Sequence, residues 1–226
     1  MPLILLGILL VAAVFGPSLW AKAILAKHGD DRADFPGTGG ELARHLLDEA
    51  GLSEVAVEAT DAGDHYDPTT QAVRLSPDNF DGRSLTAVTV AAHEVGHAIQ
   101  NGDNYGPLLA RTNLIKSTQW LQRLGSIIVF AAFGLGAVVG SPILALVGVG
   151  AGIATMGSTV VVHLVTLPVE FDTSFNRALP ILDRGGYLPR QDLPAARRIL
   201  KACALTYVAS SLAGLLNLWR WIRYLR

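Results

Sequence analysis

Apolar residues in this chain are gathered into long blocks separated by polar stretches. The first block, Leu3 to Trp20, carries no charge and is about the length that crosses a bilayer. No basic residue precedes it, as one would in a secretory signal, although Ala21-Lys22-Ala23 loosely resembles a cleavage site. The expectation is a retained anchor over 1–21. The second block, Leu124 to Val169, runs 46 residues without Asp, Glu, Lys or Arg, and His163 is its only titratable side chain. As one straight helix it would reach about 69 Å, over twice a hydrocarbon core of about 30 Å. It must fold back, so 124–169 predicts a two-span hairpin that turns at Gly140-Ser141-Pro142 or at the glycines 148, 150 and 152. Gly136 and Gly140, like Gly148 and Gly152, have the small-xxx-small spacing that lets membrane helices approach closely. A last block, Ala202 to about Leu218, leads into Trp219, Trp221 and Tyr224 interleaved with Arg220, Arg223 and Arg226, a mixture suited to the headgroup layer. Four transmembrane helices follow, the fourth over 202–226 with its basic aromatic tail.

Between the first two blocks lies a polar segment, 22–123, with 9 basic and 15 acidic residues and a net charge of −6. Thr38-Gly39-Gly40-Glu41 fits a capping box, opening a helix with Leu42, Leu46 and Leu47 on one face and Gly51 as its stop. Val55 to Ala59 alternates like a strand. His65-Tyr66, the turn-forming Asp67-Pro68-Thr69-Thr70, and Gln71 to Leu75 predict a β-hairpin. Ser84 caps a further helix that runs to Gln100 and is ended by Asn101-Gly102. The order helix, small sheet, helix describes a small α+β domain on an otherwise mostly α membrane protein. Asp30 to Asp34 reads as a solvated connector, and no internal repeat or low-complexity linker is visible.

Composition narrows the class further. Half of the 226 residues are hydrophobic and only 16% are charged, against roughly 25% charged in an ordinary soluble domain. With 18 basic and 19 acidic residues, the chain lacks the basic excess of a nucleic-acid binder. Cys203 is the only cysteine, which excludes an intrachain disulfide and a cysteine-rich metal cluster; it reads as a packing residue.

The chemistry is concentrated in His93-Glu94-Val95-Gly96-His97. Positions i and i+4 are neighbours on one helix face, so both imidazoles can reach one metal ion while Glu94 projects beside them toward a metal-bound water. This is the HExxH arrangement of zinc hydrolases. Leu85, Val88, Ala91, Ala92 and Val95 supply the buried stripe of such a helix, and Gly96 removes a side chain where the sheet or the metal must come close. A catalytic zinc takes three protein ligands and keeps one position open. A two-span hairpin returns the chain to the face it left, so 22–123 and 170–201 share one side. Glu170 is the first acidic residue after the hairpin; Pro168 would break or start a helix and put Glu170 in a first turn, where a carboxylate is favoured.

HEVGH after a short hairpin, then a hydrophobic hairpin, then Leu167-Pro168-Val169-Glu170-Phe171-Asp172, resembles the bacterial membrane-bound neutral zinc metallopeptidases, the YugP-like family. The likeness extends from His65-Tyr66-Asp67-Pro68 through Ala91 to Gln100 and on to Asp172, and the plan is similar to the wider gluzincins. The resemblance implies a zincin-like catalytic domain over 22–123, with His93, His97 and Glu170 as ligands of one Zn²⁺ and Glu94 as catalytic base. It departs in one respect. Many gluzincins carry an Asp four residues after the ligand Glu, where this chain has Ser174, so Asp172 or Asn176 would have to support the histidines.

The expected activity is peptide-bond hydrolysis on unfolded or membrane polypeptides, with an edge strand within Ala72 to Ser76 holding substrate by strand addition. His65 and Tyr66 could approach the bound carbonyl. His163, seven residues before Glu170, reads as a neutral histidine hydrogen-bonded between helices. Twelve basic residues flank the two polar segments and three follow the last block, which favours an active site facing the cytoplasm with both termini outside; the resemblance implies that the membrane is a bacterial inner membrane. The competing readings are a non-proteolytic scaffold stapled by zinc and a transporter component; a single ionisable residue in the middle spans makes poor provision for an ion path.

Overall fold

The structure, a computed structural model, describes residues 2–206, with the backbone alone for residues 2–11, 13 and 14. It is mostly helical, with one small mixed sheet. Helix α1, Pro2–Lys27, contains the whole first apolar block. Helix α2, Gly39–Glu49, starts at the expected capping box: Glu41 N–H donates to Thr38 Oγ1 (3.2 Å) and Thr38 N–H to Glu41 Oε2 (2.8 Å). It stops before Gly51, whose φ of +70° is the left-handed conformation glycine adopts without strain. Leu46 and Leu47 are buried beneath it.

Strands β1 (Ala56–Ala59), β2 (His65–Asp67) and β3 (Ala72–Leu75) form a sheet in the order β1-β3-β2. The β2–β3 hairpin is antiparallel, with Tyr66 opposite Val73, and its turn is held by Asp67 Oδ1, which accepts from Thr69 N–H (2.8 Å). Strand β1 pairs parallel to β3, Val57 beside Val73. That pairing corrects the expected substrate edge. Ala72 to Leu75 is the central strand, hydrogen-bonded on both sides, and the free edge beside the hairpin belongs to β2. The connector Asp30–Asp34 is also tied down, through an Arg32–Asp192 ion pair of 2.8 Å and Arg83 N–H donating to Asp31 (2.8 Å).

A short helix, α3 (Pro77–Phe80), leads to α4, Leu85–Gly102, capped by Ser84 Oγ accepting from Ala87 N–H (3.0 Å). The expected stripe of Leu85, Val88, Ala91, Ala92 and Val95 is buried, but so is nearly every other residue through Ala98. Helix α4 is thus the axis of the domain, surrounded by packing partners on all sides rather than lying half in water.

Helix α5, Gly106–Val139, and helix α6, Pro142–Phe171, form an antiparallel pair. The chain turns at Gly140, φ +67°, the first of the two expected places. Both helices are long and apolar enough to cross a membrane, and only 11% of the residues in the most apolar stretch of each are buried. A soluble core helix would be covered; these present Phe130, Val138 and Ile143 outward, each at least 70% exposed. Among the described residues two helices qualify as candidate spans, not the four expected. The expected fourth span reaches beyond residue 206, so most of it lies outside the described residues.

The helix pair packs tightly at Gly125, where an added Cβ would collide with Thr155 Cγ2, and at Gly148 against Phe133 and Ala132. Of the glycines in the expected spacing, Gly136 and Gly148 face neighbours closely, whereas Gly140 serves the turn. Helix α5 begins well before the apolar block: Pro107 is compatible with a first turn, and nothing breaks the helix before Gly125. Residues 106–123 therefore project from the apolar half of α5 toward the domain. Helix α6 in turn runs straight through Pro168 and passes into a π-helical segment, Asp172–Ala178, then α7, Leu179–Arg184. A further helix, α8, covers 193–206. The domain core lies around α4, where Leu47, Val73, Leu75, Val95, Leu182 and Ile199 are all buried.

Candidate metal centre

The i, i+4 spacing on α4 aims His93 and His97 the same way, with ring centroids 5.0 Å apart and planes at 81°. Glu170 arrives from α6 and is 1% exposed. Its Oε2 stands 3.3 Å from His93 Nε2 and 3.4 Å from His97 Nε2. Two atoms bound to one tetrahedral zinc at about 2.0–2.1 Å are about 3.3 Å apart, so the spacing suits a shared ion. The three ligand atoms all lie within 4.8 Å of one another.

Hydrogen bonding fixes which nitrogens are free to coordinate. His93 Nδ1 is 3.2 Å from Ser174 Oγ, and that hydroxyl donates its proton to Leu200 O (3.2 Å). Ser174 Oγ must then accept from His93 Nδ1–H. Gln100 Nε2 donates to Val169 O (3.0 Å) and Asp172 Oδ2 (2.8 Å), which turns Gln100 Oε1 toward His97 Nδ1 as an acceptor (3.0 Å). Thr173 Oγ1 lies at 3.0 Å from the same nitrogen. With both Nδ1 atoms protonated, the neutral rings present Nε2 lone pairs. Three buried ligand atoms face a common point, an arrangement that a shared cation satisfies. The donor set fits a metal ion.

The other oxygen, Glu170 Oε1, is buried, makes no hydrogen bond, and lies 3.6 Å from Arg111 Nη1 on the projecting half of α5. Glu94 is 7% exposed. Burial pushes its carboxyl up to about 7; His93 opposes this, while Glu170 and Asp64 add to it. A cavity of about 180 Å³ is lined by His93, Glu94, His97 and Glu170, by His65 and Tyr66 of β2, and by Arg111, Asp64 and Cys203. A second groove of about 250 Å³ shares Tyr66, His97 and Arg111 and runs along α5 past Thr112 to Gln119. His163 is not among the residues lining either space.

All four expected site residues come together, but three expectations about their surroundings are corrected. Glu170 sits in the last turn of α6, not the first turn of a new helix. Proline costs a membrane helix one backbone hydrogen bond that neighbours can offset, so Pro168 does not end α6, and its partners rather than a helix N-terminus compensate the carboxylate. Neither Asp172 nor Asn176 touches a histidine. Ser174 itself, with Thr173 and Gln100, does so, and Asp172 braces Gln100. Burial, the largest influence on Asp172, pushes its carboxyl up, but hydrogen bonds from Gln100, Asn176 and Arg177 together hold it below the ordinary carboxylate range. Gly96 faces neither the sheet nor the ligands: an added Cβ would lie 2.9 Å from Thr173 Cγ2. The glycine lets the π-helical segment press against α4, and the wide π turn directs consecutive Thr173 and Ser174 to the two imidazoles.

Sequence reasoning missed Arg111, used only as a flanking charge, and the position of Cys203 in the cavity wall. No local pattern marks either residue, since both depend on how distant helices pack.

The fold and the buried His₂Glu cluster define a membrane-associated chain with a site compatible with a metal ion. The sequence profile of a family described as "Putative neutral zinc metallopeptidase" matches residues 3–226, and the chain belongs to that family. It is 37% identical over 224 residues, 96% of either chain, to a Bacillus subtilis (strain 168) protein named "Putative membrane protease YugP". No solved structure matches it.

Proposed function

We propose that this protein is an integral membrane zinc metalloendopeptidase, with one Zn²⁺ per chain held by His93, His97 and Glu170 and with Glu94 as catalytic base. The observation that carries the reading is the convergence of three buried acceptor atoms from α4 and α6, with the Glu94 carboxyl in the same cavity. Bound there, Zn²⁺ would supply Lewis acidity, lowering the pKa of a water to roughly 7 and polarising the scissile carbonyl. Glu94 takes the proton of the attacking water and passes it to the leaving amine. Ser174 and Gln100 keep the imidazoles in the coordinating tautomer, and Arg111 holds the Glu170 oxygen that faces away from them.

The substrate is a polypeptide, unfolded or membrane-borne. It lies extended along the free edge of β2, where His65 and Tyr66 adjoin the cavity, and continues into the groove beside α5. The domain is zincin-like in plan, and the α5–α6 pair carries it on the membrane. The excess of basic residues near the ends of the apolar blocks on the domain's side supports a site that faces the cytoplasm; a reporter fused to the C-terminus should be active outside the cell, and a cytoplasmic signal would reverse this orientation.

The direct test compares detergent-purified wild type with Glu94→Gln for zinc content and for cleavage of an unfolded polypeptide. One zinc per chain in both is expected, with cleavage slowed about 10²–10⁴-fold in the variant. Undiminished cleavage by Glu94→Gln would overturn the mechanism and leave the metal a structural staple.

A further inference from the structure

A separate cavity, of about 550 Å³, lies where α6 leaves its apolar stretch; it is lined by Phe171, Phe175, Pro194, Arg197, Arg198 and Lys201. None of these residues lines the cavity of the metal centre. The three cations are exposed, and among the described residues none makes an ion pair. The Arg197 guanidinium stands over the Phe175 ring, 5.8 Å from its centroid. Phe171 is 41% exposed and follows the exposed Leu164 by seven residues, hence on the same face of α6. The apolar block that starts at Ala202 begins one residue after Lys201. The patch therefore joins the outward apolar surface of a candidate span to a cluster of three positive charges at the depth where that surface ends.

We propose that this cavity is a binding site for one anionic phospholipid, the basic side chains taking the phosphate and Phe171 and Phe175 lying along the upper acyl chain. An acidic stretch of polypeptide would match the charge, but not a patch continuous with lipid-facing Leu164 and Phe171. The site also adjoins the metal centre through the backbone. Phe175 follows Thr173 and Ser174 in the π-helical segment, and Leu200, whose carbonyl accepts from Ser174, lies between Arg198 and Lys201 on α8. A lipid seated on one side of these two elements holds the supports of His93 and His97 on the other.

The test is lipid retention by the full-length protein, measured by native mass spectrometry after exchange into phosphatidylcholine nanodiscs doped with phosphatidylglycerol. One phosphatidylglycerol should be retained in preference to phosphatidylcholine. The triple variant Arg197→Gln, Arg198→Gln, Lys201→Gln should weaken retention on the order of a hundredfold, and Lys201→Gln alone about fivefold, from the worth of each cation near an anionic surface. Zinc content and thermal unfolding confirm that the variants fold; the exposed Lys201 variant carries the test if the triple one does not. Arg184→Gln with Arg190→Gln, basic residues outside the cavity, should leave retention unchanged. The proposal is overturned by equal retention of both lipids, by unaltered retention in Lys201→Gln, by an equal loss in the Arg184/Arg190 variant, or by displacement of the lipid with inorganic phosphate or an acidic peptide.

Discussion

The two ends of helix α6 belong to different kinds of structure. Toward Gly140 the α5–α6 pair is held by close approach of small residues, and its outward side chains are apolar and exposed. Toward Glu170 the same helix enters a region where buried polar atoms are tied by hydrogen bonds of 2.8–3.2 Å: Gln100, Thr173 and Ser174 around the imidazoles, Asp172 behind them. A buried polar network stabilises when every member is satisfied and is costly when one is not. The difference teaches where sensitivity should lie. The hairpin should tolerate change in proportion to lost packing, whereas the site region, on the proposed reading, depends on a cation to reconcile its three facing ligand atoms.

Removing that cation should separate the regions most sharply. Chelation is expected to lower the stability of the domain by on the order of 4 kcal/mol when free zinc had stood a thousandfold above its Kd. Hydrogen exchange should rise along α4 and the π-helical segment and stay low in the apolar part of α5 and α6. Uniform loss of protection across both regions would mean that the hairpin and the site unfold as one unit.

Ser174→Ala tests the support of the site with a smaller effect. It removes the acceptor of His93 Nδ1–H and frees the Leu200 carbonyl, so zinc affinity should fall about 10–100-fold, read by competition with a chromogenic chelator. Ser174→Thr, which keeps the hydroxyl, should recover most of the loss. A variant that binds zinc as tightly as wild type would show that the serine only packs.

The same division explains what could be read from the sequence. The capping box, the Ser84 cap, the β-hairpin turn and HEVGH on a helix are local: each is decided by residues within four or five positions, and each is found as expected. So is the turn at Gly140, because only a glycine there enters the left-handed region cheaply. Pairing of β1 with β3 is parallel and depends on a crossover, so no alternation pattern could have told that Ala72 to Leu75 is central. The path of α6 through Pro168 was illegible because local propensity argues for a break, which the loss of one backbone hydrogen bond does not force. Ser174 reads as a lost carboxylate until the π turn is known. Arg111 reaches Glu170 only because α5 extends far beyond its apolar half.

The smallest predicted effect bears on the hairpin itself. Gln122 Nε2 donates to Thr159 Oγ1 across the pair at 2.9 Å, next to the Gly125–Thr155 contact. An interhelical hydrogen bond in a membrane protein contributes about 0.6 kcal/mol on average, because the separated helices also find partners. Gln122→Leu should therefore cost about that much in denaturant unfolding followed by α5–α6 proximity, with zinc content and cleavage unchanged. A loss of several kcal/mol would mean that the pair is held by polar contact, like the site, and the contrast between the two ends of α6 would fail. A loss near the average leaves close packing at Gly125 and Gly148 as the hold on the hairpin, which can then carry Glu170 to the histidines without sharing in the chemistry around them.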